Sequence, residues 1–100
     1  MNYITIIDGG RASGKSLKAK EIVGNRKAVY LTKNDMDSTF KFQNVSIDTE
    51  FIVFDDLNLK ECIKIIKWFL NNDKIIVNAK NKPIFTMEKP NIIIIKQSVV

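Results

Sequence analysis

The sequence predicts an α/β domain built on a mostly parallel sheet flanked by helices, with a β-hairpin before the last strand. Strand-like and helix-like segments alternate along the 100 residues, with no repeat or low-complexity tract. Two runs, Phe51-Ile52-Val53-Phe54 and Ile92-Ile93-Ile94-Ile95, are apolar without a polar break, as expected of strands covered on both faces. A glycine-rich turn also joins the first strand to the first helix.

Residues 3–8 read as the first strand and residues 15–24 as the first helix, closing near Gly24. Residues 27–32 read as a second strand. Residues 33–50 are polar and give no single pattern, although Asp35 to Ser38 suggests a turn and Phe40 and Phe42 alternate as in a short strand. The apolar run 51–54 forms the third strand and ends in Asp55-Asp56. Over residues 58–71, Leu59, Cys62, Ile63, Ile66, Phe69 and Leu70 recur at helical spacing, opposite Lys60, Glu61, Lys64 and Lys67. Trp68 falls outside that division and suits an anchor to a neighbouring element. Two short apolar runs, 74–77 and 84–87, surround a polar tip carrying Lys80 and Lys82, which suggests the hairpin. Pro83 limits pairing at its edge, and Pro90 breaks the chain before the last buried strand.

This length supports a single domain over residues 1–100. No apolar run approaches the ~20 residues of a membrane span, and the N-terminal stretch lacks the charged start and small-residue exit of a cleavable signal. The expectation is a soluble, intracellular protein. Cys62 is the only cysteine, so an intrachain disulfide and a zinc cluster are excluded; its apolar helical setting suits buried packing. Histidine is absent, which removes imidazole base and ligand chemistry. The net charge of +5 is unevenly placed: residues 74–96 hold Lys74, Lys80, Lys82, Lys89 and Lys96 against Glu88. Such a balance suits a polyanionic partner, or equally a cationic solvated surface.

Residues 9–16 read Gly9-Gly10-Arg11-Ala12-Ser13-Gly14-Lys15-Ser16, matching G-x-x-x-x-G-K-S without a mismatch. Glycines let the backbone fold around a di- or triphosphate, so that N–H groups and the helix N-terminus point at phosphate oxygens. Residues 9–17, Leu17 included, form the expected nucleotide cradle of a minimal P-loop NTPase. Lys15 supplies a mobile charge near the β- and γ-phosphates, and the Ser16 hydroxyl a ligand for Mg²⁺. A glycine turn before a helix that merely begins Lys-Ser would look the same in isolation; the strand before and helix after favour the nucleotide reading. The expected substrate and cofactor are ATP and Mg²⁺, with no base-recognition motif to separate ATP from GTP.

The acid pair fits the second nucleotide-binding element: Asp55 holds Mg²⁺ and Asp56 activates the attacking water. The competing reading makes Asp56 the cap of a helix starting near Leu57. Gln97 follows the last strand, where an amide can contact the attacking water and sense the γ-phosphate; Ser98 is the substitute, and a polar residue leaving the core is the plainer reading. Lys80 and Lys82 are candidate contacts to a nucleic-acid backbone, or simply lysines at a solvated tip. Arg11 suits a phosphate or a neighbouring subunit, or an exposed loop position. In parallel α/β sheets ligands collect at the carboxyl ends of strands, where the phosphate loop, the acid pair and Gln97 all fall.

The order of these parts resembles the superfamily-three helicases, AAA+-related ATPases of small viruses and mobile elements. The stretches that carry the resemblance are residues 9–16, 51–56, 74–83 and 89–97. It implies ATP hydrolysis coupled to movement along single-stranded nucleic acid by a hexameric ring, with Lys80 gripping the strand. Gln97 stands where that family has asparagine, and its arginine finger has no evident counterpart. The first strand and the amide-ending strand are also similar to Zot-type and FtsK-like P-loop ATPases, which account for Gln97 better and the lysine hairpin less well. Two further readings follow from the same loop: a nucleotide-dependent binding or assembly module with little hydrolysis, and a small phosphotransferase.

Overall fold

Strands that are apolar on both faces need a layer of cover on each side, and the chain supplies both. The computed structural model describes residues 4–8, 15–31, 44–78 and 82–96, with only the backbone for Lys15 and Ser16. Its elements are β1 (Ile4–Ile7), α1 (Lys15–Val23), β2 (Ala28–Leu31), β3 (Phe51–Leu57), α2 (Leu59–Asn71), β4 (Lys74–Val77), β5 (Phe85–Glu88) and β6 (Asn91–Lys96). Four of these strands form one sheet in the order β1-β6-β3-β2, every neighbouring pair parallel. The antiparallel pair β4-β5 forms the expected hairpin just before β6. The turn expected at Asp35 to Ser38 and the alternation of Phe40 and Phe42 lie outside the described residues.

Alternation along β3 and β6 divides the core in two. Phe51, Val53, Ile93 and Ile95 meet Ala19 and Val23 of α1, together with Ile7. Ile52, Phe54, Ile92 and Ile94 face the other way, onto Cys62, Ile65 and Phe69 of α2 and onto Ile75, Val77 and Met87 of the hairpin. The four β6 isoleucines are 0–4% exposed, each worth roughly 1.5–3 kcal/mol of transfer free energy.

Helix α1 ends where expected. Gly24 has φ +59, the left-handed conformation that closes a helix at least cost to glycine. Arg26 donates to the carbonyls of Val23 (3.2 Å) and Ile22 (2.7 Å) and lies 4.7 Å from the centre of the Phe51 ring, tying the helix end to the sheet. Before β3, Lys27 bonds Ser46 (2.7 Å) and Asp48 (2.9 Å), bracing the turn at 44–49 against β2. The Ser46 hydroxyl also donates to Asp48, and this bond first, then that from Lys27, lowers the Asp48 carboxyl to a pKa of about 2.

Helix α2 departs from the expected division. Its buried residues are Cys62, Ile65 and Phe69, with Ile66 and Trp68 packed against the same core. Leu59, Ile63 and Leu70, expected on the core face, are 61%, 44% and 70% exposed. At 100° per residue the apolar arc is wider than the sheet can cover, so the centre of the arc is buried and its flank is left out. At the C-terminal end, Lys89 donates to the Phe69 carbonyl at 2.7 Å and lies 4.5 Å from the Phe69 ring centre, which joins the hairpin's exit to the helix end. No helix among the described residues is long and apolar enough to cross a membrane.

Candidate functional site

The parallel sheet places the carboxyl ends of β1, β6 and β3 along one edge. In register, Ile7 lies beside Ile95 and Phe54 beside Ile94. The first and third strands are thus separated by β6 alone, about 10 Å from axis to axis at the spacing of neighbouring strands. β1 ends at Ile7 and α1 begins at Lys15, so a strand precedes the glycine motif and a helix follows its start, as expected. Gly9 to Gly14 and the side chains of Lys15 and Ser16 lie outside the described residues, as do Gln97 and Ser98. Leu17 is 62% exposed on the first turn of α1.

Strand β3 does not stop at Phe54. It continues to Leu57, but three steps on β3 match two on β6: Phe54 pairs with Ile94 and Leu57 with Lys96. The extra residue forms a β-bulge, and Asp56 absorbs it at φ 61, the single positive φ on a non-glycine residue among those described. Aspartate tolerates this left-handed geometry better than most residues. Two consequences follow. Alternation puts Asp55, one residue after Phe54, on the α1 side of the sheet, half-buried. Leu57 returns to the α2 side and is fully buried there.

The helix that follows has its own cap. The Asn58 side chain accepts from the Glu61 N–H at 2.9 Å, and the Glu61 carboxylate accepts from the Asn58 N–H at 3.0 Å, a complete capping box. The competing reading of Asp56 as helix cap is therefore corrected: the helix starts at Leu59, and Asn58 performs that role. Neither aspartate side chain makes a hydrogen bond or ion pair with another described residue, and both sit in the bulge at the strand edge. Bulges recur beside active sites because they re-aim side chains.

Between them and the glycine motif lies an ion pair absent from the sequence reading. Lys96, the last residue of β6, is 3.2 Å from the Asp8 carboxylate, with its side chain 19% exposed. Its signal was present, an acid closing one strand and a lysine closing another, but only the strand order makes them neighbours. At the other side of the hairpin Lys82 is exposed, and Lys80 lies outside the described residues. Cys62 is buried beneath this edge, its thiol 3.8 Å from the Leu57 carbonyl and its pKa raised by burial.

No protein-family model and no curated protein matches the chain. Solved structures do. The apo structure of the NrS-1 C-terminal region (305–718) superposes with a TM-score of 0.68 at 17% identity, over 98% of this chain and 25% of that one. The A form apo structure of the same region gives 0.67 at 18% identity, over 100% and 25%. A further A form apo structure of it gives 0.63 at 18% identity, over 99% and 23%. At these identities the likeness is one of fold, and the chain spans about a quarter of the length of those it matches.

Proposed function

We propose that this domain is a P-loop nucleoside triphosphatase of helicase type, hydrolysing ATP in concert with single-stranded nucleic acid. The observation that carries the reading is the strand order: β6 alone separates β1, which leads to the glycine motif, from β3, which carries the acid pair near its carboxyl end. In the proposed site residues 9–17 wrap the triphosphate and Lys15 contacts its β- and γ-oxygens. The donor set suits Mg²⁺: Ser16 lies in the first turn of α1, and Asp55 is a half-buried carboxylate on the α1 side without a partner among the described residues. When bound there, Mg²⁺ supplies positive charge against the phosphate oxygens. Asp56 accepts the proton of the attacking water, and Gln97, next after β6, orients that water and reads the γ-phosphate.

The hairpin β4-β5, lying before β6 and carrying Lys82, supports the superfamily-three reading over the Zot-type and FtsK-like one. In that reading Lys80 and Lys82 engage the phosphate backbone, and the working form is a homo-oligomeric ring. The test is single-turnover ATP hydrolysis with saturating single-stranded DNA or RNA. Lys15→Ala and Asp56→Ala are expected to abolish stimulated turnover. Unchanged turnover in either variant refutes the assignment, and tight ATP binding without product formation leaves the binding-module reading in its place.

A further inference from the structure

A second concavity lies away from the strand edge, between the turn at 44–49 and the hairpin. It has a volume of about 470 Å³ and is lined mainly by apolar side chains. Val45 and Val77, 5% and 1% exposed, form its floor. Ile47, Pro83 and Phe85 line it above, and Lys82 stands exposed among them. Ile47 is 70% exposed, an unusual position for an isoleucine on a turn that is otherwise well tied down by Lys27, Ser46 and Asp48. The turn is thus a braced wall.

We propose that this groove is a subsite for single-stranded nucleic acid, holding one unstacked base against Phe85, Pro83 and Ile47 while Lys82 meets the adjacent phosphate. The inference rests on the reading above that the hairpin engages a single strand, and adds to it where and how a base is held. Charge complementarity selects the occupant. Among the described residues Lys82 is the one charged residue lining the groove and no carboxylate lines it, in a chain of net charge +5, which favours an anionic occupant over an uncharged apolar peptide. A flat base with a phosphate attached matches an apolar slot with one cation at its rim. Stacking on an aromatic ring tolerates any base, so the subsite is sequence-neutral.

Fluorescence anisotropy of the full chain tests it, using a labelled oligothymidine or oligouridine strand and an abasic strand of equal length. The base-bearing strand is expected to bind about tenfold or more tightly than the abasic one. Phe85→Leu and Ile47→Ser are expected to lower affinity for the base-bearing strand at least about fivefold and leave the abasic strand unaffected. Ile47 is exposed enough that its variant keeps the fold, which a thermal melt verifies. Equal affinity for the two kinds of strand, or wild-type affinity in both variants, overturns the subsite while strand binding stands. Failure of every strand to bind overturns the subsite and the nucleic-acid part of the proposed function together, and leaves the groove as a surface for an apolar peptide.

Discussion

Lys96 and Asp8 close two adjacent parallel strands and pair at 3.2 Å on the edge that carries the acid bulge. Their partner elements are distant in sequence, so the pair ties the beginning of the chain to its end just where the glycine motif departs. Asp8 is 58% exposed, which keeps the pair's worth within the modest range of surface ion pairs, about 0.5–1 kcal/mol. A double-mutant cycle with Asp8→Asn and Lys96→Met, read by urea denaturation, is expected to give a coupling of that size. It should shrink as salt rises.

Asp56 pays for its position in backbone conformation. At φ 61, glycine would relieve the left-handed strain, so Asp56→Gly is expected to raise stability by about 0.5–1 kcal/mol. Under the proposed function the same variant has no hydrolysis. By contrast Asn58→Ala, which removes the actual cap, is expected to cost about 1 kcal/mol. Denaturation of the two variants side by side reads out opposite signs.

The carboxyl of Asp48 titrates at about 2, held down by the Ser46 hydroxyl and the Lys27 ammonium. A depressed folded value means that the contribution is complete above the unfolded pKa of ~3.9 and is lost as pH falls through the folded value. Carbon-detected NMR titration of Asp48 is expected to show a midpoint near 2, moving toward the ordinary value in Lys27→Met. Acid unfolding of Asp48→Asn between pH ~4 and ~2 should be correspondingly less steep than that of the parent.

Cys62 is 3% exposed and its thiol is raised by burial, so its chemistry is that of a core residue. Reaction with an aromatic disulfide reagent at pH 8 is expected to be slow in the folded chain and rapid in denaturant. Cys62→Ser, which places a hydroxyl among apolar neighbours, should cost stability, and Cys62→Ala should cost less.

The sheet was readable because its strongest strands carry their burial in composition: four consecutive isoleucines, and an apolar run closed by acids, admit few alternatives. The helix start at Asn58 was half-readable. Asn58 and Glu61 have capping-box spacing, yet Asp56 competes for the same role, and only the bulge shows why it is displaced. The face of α2 was misjudged because Leu59, Ile63 and Leu70 satisfy helical periodicity as well as the buried set does; periodicity defines an arc, and the width of the sheet decides how much of it is covered. The groove beside Phe85 and the pairing of Asp8 with Lys96 both depend on tertiary placement across many residues; the charged residues at the two strand ends are visible in the sequence, but not that those ends are neighbours. The extra residue in β3 is likewise invisible until β6 provides the register against which to count it.

Under the proposed function a triphosphate binds between β1 and α1 with the β3 carboxylates beside it. Calorimetric titration of Mg-ATP into the parent chain, Lys15→Ala and Asp55→Asn measures it most directly. Saturable, magnesium-dependent binding by the parent is expected, with a loss of about tenfold to a hundredfold in each variant on removal of a charge-assisted contact. Affinity equal to the parent's in both variants, or binding indifferent to magnesium, would contradict it.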